Sequence, residues 1–154
     1  MPEALKTLFM LKTERKNHTV YRIAYHLCWI PKYRKKIFKK NLQERMKKIL
    51  MQIAFEYEWD VCEIEVMSDH VHVLINSGPK WSPAKIVQIL KSKSAIQFFR
   101  ENPEIREKYF WGGRLWTSSY FVETVGNSNH EMVKKYIQEQ EQELEKRLAQ
   151  TKLF

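Results

Sequence analysis

Two histidines separated by a single residue are the first feature of the chain that could carry chemistry. His70 and His72 lie in the stretch VMSDHVHVLINSGP, residues 66–79, where valine, isoleucine and leucine fill most other positions. In a β-strand, residues i and i+2 project from the same face, roughly 6–7 Å apart. The two imidazoles can therefore chelate one divalent metal ion on a rigid strand, with a third ligand from elsewhere. The pattern is short, and a pair of surface histidines is the alternative.

A tyrosine and a glutamine near the end of the chain form a second candidate group. Tyr136 and Gln140 are four residues apart in VKKYIQEQ, so on a helix they are neighbours on one face. That face can look onto a sheet because it lies beside an apolar stripe of Val133, Ile137, Leu144 and Leu148. Gln140 offers an amide oxygen, a hard metal ligand, and Tyr136 offers a phenol that a nearby cation helps to deprotonate. The alternative is a packed tyrosine beside a solvated glutamine. The preceding Lys134 and Lys135 could assist the phenol, hold phosphate or lie in water.

Seven predicted elements must position these side chains. From the N-terminus they are a strand over residues 19–30, a helix over 41–59, a strand over 60–67, a strand over 70–76, a helix over 83–101, a strand over 114–125 and a helix over 129–148. Period-two patterns indicate the strands, and apolar residues at helical spacing indicate the helices. The order β-α-β-β-α-β-α predicts an α+β fold with a ferredoxin-like, RRM-like antiparallel sheet and helices mainly on one face. The two histidines would then lie on the open face, and Val71, Val73 and Ile75 on the covered one.

The ends of the helices carry recognisable capping residues. Asn41 is predicted to cap the first helix, and Ser82 with Pro83 to begin the second. Ser128 and Glu131 have the spacing of a capping box before the last helix. These signals set the boundaries of the predicted elements.

Side-chain patterns assign further residues to the interior. Cys62, Ile64 and Val66 alternate with Glu63 and Glu65, which predicts opposite faces of one strand for the two sets. The second helix carries an apolar stripe of Ile86, Ile89, Leu90, Ile96 and Phe99. Structural roles are expected for the isolated histidines His18, His26 and His130.

The composition fits a single basic domain. The chain has 154 residues, and we predict one domain over 1–154 with a core at about 19–148. With 27 Lys+Arg against 18 Asp+Glu, the formal net charge of +9 favours a polyanionic partner, nucleic acid first and a membrane surface second; solubility alone is the alternative. The chain has no apolar run near the roughly 18 residues of a membrane span and no signal-peptide pattern at its start. Cys28 and Cys62 are too few for a disulfide scaffold and match no zinc motif, so buried thiols and a cytoplasmic location are expected.

The clustering of the basic residues predicts where a nucleic acid would bind. The loop after the first predicted strand carries only basic charges, and it is the first choice for phosphate contact through Lys32, Arg34, Lys35, Lys36, Lys39 and Lys40. Two lysines on the second helix, Lys91 and Lys93, come next. A charge run usually marks a solvated face, which is the alternative. Trp81, Trp111, Trp116 and Tyr120 could stack on bases, with core packing expected of the last two.

Four segments together resemble a known family. YRIAYHLCWIPKYRKKIF, EVMSDHVHVLI, LWTSSYFVETVG and VKKYIQEQ occur in the order found in the single-tyrosine HUH transposases of insertion-sequence 200/605 elements, the TnpA type. The resemblance spans roughly residues 20–142, and its most specific part is D-H-V-H followed by Tyr-x-x-x-Gln. It implies that His70 and His72 bind the metal, that Gln140 completes the metal site and that Tyr136 is the nucleophile. The second tyrosine of two-tyrosine HUH replication proteins is missing, because Gln140 holds the position one turn on.

The resemblance also implies an activity. Enzymes of this type are DNA transposases that recognise subterminal hairpins and cleave and rejoin single-stranded DNA at insertion-sequence ends. They pass through a 5′-phosphotyrosine and a free 3′-hydroxyl, so no ATP is implied, and the expected cofactor is Mg²⁺ or Mn²⁺. A homodimer is implied, in which the tyrosine helix can act in trans. The alternatives are a non-catalytic single-stranded nucleic-acid-binding module and a domesticated tyrosine HUH nuclease acting on chromosomal repeat hairpins.

Overall fold

An antiparallel sheet forms the centre of the fold. The computed structural model describes residues 14–16, 19–21, 23–126 and 130–151. A hairpin of β1 (Glu14–Lys16) and β2 (Thr19–Tyr21) comes first. Within the described residues the central sheet has four strands, β3 (Ala24–Trp29), β4 (Asp60–Val66), β5 (Val71–Asn76) and β6 (Phe121–Val125), in the order β4-β5-β3-β6. All its neighbouring strands are antiparallel, which confirms the predicted α+β, ferredoxin-like sheet.

Two amphipathic helices, α1 (Lys40–Glu56) and α2 (Pro83–Glu101), cover one face of this sheet, and α3 (Pro103–Tyr109) follows α2. The main core lies between the helices and the sheet, and its buried side chains include Leu27, Trp29, Leu50, Val73, Ile75, Ile86 and Phe98. The predicted start of α2 is confirmed, since Ser82 Oγ accepts a hydrogen bond from the Lys85 N–H at 3.2 Å. None of the described helices has an apolar stretch that could cross a bilayer.

A last helix, α4 (His130–Thr151), lies on the opposite face of the sheet. Ile137 is 0% exposed and packs in a second, smaller cluster with Ala24, Leu74 and Val125. Glu63 on β4 fixes the same helix through Lys134 Nζ at 3.8 Å and Gln138 Nε2 at 3.1 Å. The prediction that this face is open was therefore wrong in part, because the apolar stripe of the last helix is buried against it.

Several predicted element boundaries also require correction. The strand predicted over 19–30 is two strands, β2 and β3, which belong to different sheets. The strand predicted over 114–125 begins only at Phe121, because Lys91 Nζ donates to the carbonyl oxygens of Thr117 and Ser119, at 2.7 Å each, and holds them in a non-sheet conformation. In the segment between α2 and β6, the prediction gave a connection where the structure has α3.

Individual side chains differ from their predicted positions in a similar way. Helix α1 begins at Lys40, so Asn41 lies in its first turn and does not cap it. Ile96 is 61% exposed and falls outside the buried stripe of α2. An irregularity in β4 between Val61 and Glu63 puts Cys62 on the face of the second cluster, away from Ile64 and Val66. The capping box at residues 128–131, His18, and the side chains of residues 130 and 148 lie outside the described residues.

Candidate active site

The β4–β5 hairpin positions the two histidines. Its turn is tight, with the Met67 N–H donating to the His70 carbonyl at 2.8 Å, so His70 lies just before β5 and His72 within it. The imidazole rings are 5.0 Å apart between centroids, as the shared face requires. Val71 and Val73 are buried on the other face and hold the strand in the main core. The predicted approach of the two histidines is therefore observed.

Helix α4 brings the glutamine and the tyrosine to the same place. Gln140 Oε1 lies 2.9 Å from His72 Nε2, and the Gln140 side-chain N–H donates to Tyr136 Oη. The Tyr136 ring stands 6.5 Å from the His72 ring, at 86° to it, and Tyr136 is 52% exposed. All three residues contact one another within a single chain in this structure. The two candidate groups that the sequence offered separately form one site.

A carboxylate orients His70 directly. Asp69 Oδ1 lies 2.7 Å from His70 Nδ1, and Arg34 Nε donates to the other oxygen of Asp69 at 3.2 Å. Burial by itself would raise the pKa of Asp69, but His70 and Arg34 outweigh it and hold that pKa below its ordinary value. Since a carboxylate only accepts hydrogen bonds, the proton of neutral His70 lies on Nδ1 and its Nε2 lone pair is left for another partner.

His72 is oriented from its other side by a residue that the sequence did not assign to the site. His26 Nε2 lies 3.0 Å from His72 Nδ1, and His26 Nδ1 lies 2.8 Å from Glu123 Oε1. His72 is only 5% exposed, and this burial, together with the charges of His70 and His26, lowers its pKa to about 4. The imidazole is therefore neutral near pH 7, the form that binds metals. The structural role expected of His26 needs correction, because His26 contacts the site.

An open cleft of about 590 Å³ lies over these residues. Its basic lining includes Arg34 and Lys36 from the loop after β3 and Arg147 from α4, which the sequence reasoning missed. Tyr33 and Arg34 have φ values of 65° and 50°, a left-handed conformation that is uncommon outside glycine. This turn places the Arg34 side chain beside Asp69.

The other predicted DNA contacts lie outside the residues that line this cleft. Lys32 Nζ stands over the Tyr33 ring at 5.1 Å, and Lys35 Nζ over the Tyr109 ring at 5.5 Å. Lys91 holds the 117–119 loop, as described above. Lys93 lies 3.8 Å from Glu56 on the outer side of the helical layer. Of the eight predicted cations, the structure therefore brings two, Arg34 and Lys36, into the cleft that the histidines line.

The aromatic residues proposed for base stacking divide into two groups. Trp116 is buried and its Nε1 donates to Ser94 Oγ at 2.9 Å, which confirms the expected core role. Trp81 packs against Trp59, with ring centroids 5.3 Å apart. Tyr120 is 38% exposed and lies beneath Lys91 Nζ, so the core role expected of it is wrong, whereas Trp111 is 87% exposed. Trp111 thus has the largest free ring surface of the four for a base.

Comparison with known proteins identifies the family. The family model described as IS200-like transposase matches residues 19–140. The ISDra2 transposase TnpA of Deinococcus radiodurans is 38% identical over 121 residues, which are 79% of this chain and 86% of the relative. The transposase for insertion sequence element IS200 of Salmonella typhimurium is 30% identical over 129 residues, 82% of each chain. The chain therefore belongs to the IS200-like transposase family, as its motifs predicted.

Solved structures agree with this fold. A crystal structure of a candidate transposase from Deinococcus radiodurans r1 gives a TM-score of 0.68 at 33% identity, with coverage of 82% of this chain and 97% of that chain. A REP-associated tyrosine transposase bound to a REP hairpin gives a TM-score of 0.55 at 10% identity, with coverage of 82% and 70%. The second likeness shows a shared fold alone.

Proposed function

We propose that this transposase cleaves and rejoins single-stranded DNA at insertion-sequence ends, with Tyr136 as the nucleophile. The observation that carries the proposal is the position of Gln140, whose amide contacts His72 through oxygen and Tyr136 through nitrogen. One side chain thereby links the proposed metal ligand to the proposed nucleophile. Both lie in a cleft that Arg34 and Lys36 make suitable for phosphate.

The donor set suits a divalent metal ion, Mg²⁺ or Mn²⁺. His70 and His72 would hold it through their Nε2 atoms and Gln140 through Oε1. The His72 Nε2 and Gln140 Oε1 atoms are 2.9 Å apart, and adjacent ligands at octahedral Mg²⁺ distances are about 3 Å apart. The Gln140 amide would supply the third protein ligand, and in the described part of the chain no group of three His, Cys, Asp or Glu side chains offers an alternative set. When bound, the ion would neutralise charge on the scissile phosphate.

A cysteine in the same cleft does not change this preference. Cys28 lines the cleft and pairs with His72 in the β3–β5 register. Burial raises the pKa of the Cys28 thiol to about 11, which makes Cys28 a neutral thiol and a weak ligand near pH 7 while no metal is bound. Two imidazoles and one amide oxygen would leave several coordination positions for oxygens of phosphate and water, and it is this oxygen coordination that favours Mg²⁺ or Mn²⁺.

The chemical steps balance without an external energy source. Tyr136 Oη loses its proton to solvent and attacks phosphorus, while the bond from phosphorus to the 3′ oxygen breaks. The 3′ oxygen takes up a proton and leaves as a hydroxyl, and the 5′ end stays on the tyrosine. The Gln140 N–H donated to Oη stabilises negative charge on the attacking oxygen. In rejoining, a 3′-hydroxyl attacks the phosphotyrosine and Tyr136 leaves as a phenol.

The proposed enzyme recognises DNA hairpins as a homodimer, and the sheet offers edges at which two copies can associate. Strands β4 and β6 are the edges of the central sheet, and residues 121–124 of β6 are exposed, so a second copy can pair there. The tyrosine helix contacts its own His72 in this structure, and an exchange of α4 between copies would give the trans arrangement. Sedimentation at micromolar concentration is expected to give the mass of a dimer, and a monomer would contradict this part of the proposal.

The test of the activity uses single-stranded element-end DNA labelled at one end or the other. With Mn²⁺, the 3′-labelled strand is expected to give a protein–DNA band stable in denaturing gels. The reason is that the fragment on the 3′ side of the cut, which carries the label, stays attached to the tyrosine through its 5′ phosphate. The 5′-labelled strand should instead give a free fragment ending in a 3′-hydroxyl. Tyr136→Phe should abolish the adduct, and the matched control Tyr33→Phe, at another exposed tyrosine, should keep it. DNA binding without an adduct in the wild type would favour the non-catalytic module.

A further inference from the structure

We propose that Glu123 and His26 are positioning residues that fix the tautomer of His72 and thereby set the metal affinity of the site. The inference rests on the proposed metal role of His72. It concerns two residues that contact neither the DNA nor the metal in the mechanism above. Their effect would be exerted through hydrogen bonds alone.

The direction of the hydrogen bonds follows from counting donors along the chain Glu123, His26, His72. The Glu123 carboxylate only accepts, so His26 Nδ1 carries the proton between them. In the form in which both rings are neutral, His26 Nε2 accepts and the single N–H of His72 lies on Nδ1. The Nε2 lone pair of His72 is left facing Gln140 Oε1, another acceptor, at 2.9 Å. Two acceptor atoms at this separation are complementary to a cation.

The fold makes this relay rigid. His26 lies on the central strand β3, opposite Glu123 on β6, while β5 on its other side carries His72. The His26 and His72 rings are inclined by only 17°, with centroids 5.2 Å apart, and Phe121 meets His26 edge-on at 5.9 Å. His26 is almost fully buried. The ring that transmits the orientation therefore has little freedom to rotate.

The two metal histidines thus have equivalent but differently built supports. Asp69 accepts directly from His70 Nδ1, whereas Glu123 acts on His72 through His26. Carboxylates that hold metal-binding histidines in this way commonly change metal affinity by about 10–100-fold when they are lost. The same magnitude is expected here for Glu123, although it lies one residue further from the metal site.

Glu123→Gln is the decisive variant because Glu123 is half-exposed and its replacement should not disturb the fold. A glutamine amide can donate to His26 Nδ1, so the hydrogen bonds from residue 123 through His26 to His72 can all run in the opposite direction. In that arrangement the proton of His72 lies on Nε2. Isothermal titration calorimetry with Mn²⁺ should show that Glu123→Gln binds the ion about 10–100-fold more weakly than the wild type does. The matched control is Thr124→Ala, an exposed neighbour on the same strand, which should bind Mn²⁺ like the wild type.

The tautomer can be read directly in metal-free protein from the long-range ¹H–¹⁵N couplings of the imidazoles. His72 should be protonated on Nδ1 in the wild type and in Thr124→Ala, and at least partly on Nε2 in Glu123→Gln. A purely structural role for Glu123 would not move this signature. The inference would be overturned if His72 keeps its proton on Nδ1 in the Glu123→Gln variant and that variant binds Mn²⁺ with an affinity within twofold of the wild type.

The design separates this inference from the proposed function. His72→Ala should abolish Mn²⁺ binding; if the wild type itself does not bind Mn²⁺, the proposed metal role fails. The tautomer measurement needs no metal and no DNA, so it still tests the relay in that case. If the wild type binds Mn²⁺ through His72 and Glu123→Gln behaves identically in both measurements, only the relay fails.

Discussion

His72 on β5 and Gln140 on α4 are 68 residues apart in the chain, and their Nε2 and Oε1 atoms approach to 2.9 Å. This contact joins the sheet to the last helix at the point where the tyrosine enters the cleft. In the proposed function the last helix must dock, because a glutamine on an undocked helix could not complete the proposed metal site on β5.

Gln140→Ala should weaken Mn²⁺ binding by at least tenfold, because it removes the oxygen ligand while leaving both histidines. Adduct formation should fall with it and recover partly at high Mn²⁺ concentration. Gln142→Ala is the matched control, since Gln142 is exposed on the same helix. Calorimetry and the gel assay measure the two effects. Equal Mn²⁺ affinity of Gln140→Ala and wild type would show that the amide is not a ligand.

Ile137→Ala should lower the free energy of unfolding by about 2–5 kcal/mol, because a fully buried side chain in the second cluster is truncated. It should also free α4 from the sheet, which hydrogen exchange of the α4 amides would detect. Met132→Ala, at an exposed position of the same helix, should change neither measurement. Protected α4 amides in Ile137→Ala would mean that contacts other than Ile137 dock the helix.

Lys36→Ala should flatten the salt dependence of single-stranded DNA binding by about 0.7 in log–log slope, because one phosphate contact is lost. Lys93→Ala should leave that slope unchanged, since Lys93 lies beside Glu56 away from the cleft. Fluorescence anisotropy over a range of salt concentrations measures both. A flattened slope in Lys93→Ala with an unchanged slope in Lys36→Ala would indicate that DNA binds on the outer helical surface instead of in the cleft.

The ion pair between Arg45 and Glu101 should give a defined pH dependence of stability. Arg45 Nε and Nη2 lie 2.6 and 2.7 Å from the carboxylate oxygens, and hydrogen bonds from Arg45 and Gln97 lower the pKa of Glu101 to about 2. The folded state therefore keeps Glu101 ionised below its ordinary pKa, so the stabilisation is complete above about pH 4.5 and is lost as the pH falls towards 2.

Glu101→Gln should accordingly lower the free energy of unfolding by about 1 kcal/mol or less at pH 7, as expected of a solvent-screened pair. The difference from the wild type should shrink between pH 4.5 and 2 in urea unfolding experiments. A difference that grows on acidification would show that the sign of the pKa shift is wrong.

Much of the fold could be predicted because local patterns match the elements they form. Helix α2 has the predicted bounds, with Ser82 as its cap, and the alternation around His70 and His72 correctly assigned Val71 and Val73 to the core. The shortened β6 could not be predicted in this way. Its boundary depends on Lys91, a residue distant in sequence whose ammonium group binds two carbonyl oxygens of the loop.

The site was only partly predictable for a related reason. His70, His72, Tyr136 and Gln140 carry local spacing signals, and the structure brings them together. His26 carries none: it is a single histidine in an apolar strand, and its role appears only when the register of three strands places it between Glu123 and His72. The parity of the β3 pattern puts His26 and Cys28 on one face, but the sequence does not say which strands lie beside them.

In the proposed function, Tyr136 attacks a DNA phosphate beside a metal site built from His70, His72 and Gln140. Mass spectrometry of the adduct formed with single-stranded element-end DNA and Mn²⁺, after nuclease trimming and proteolysis, identifies the residue that carries the DNA. We expect a nucleotide 5′-phosphate on Tyr136, absent from the Tyr136→Phe, His72→Ala and chelator-treated samples. A nucleotide on any other residue, or an adduct that persists in Tyr136→Phe, would contradict it.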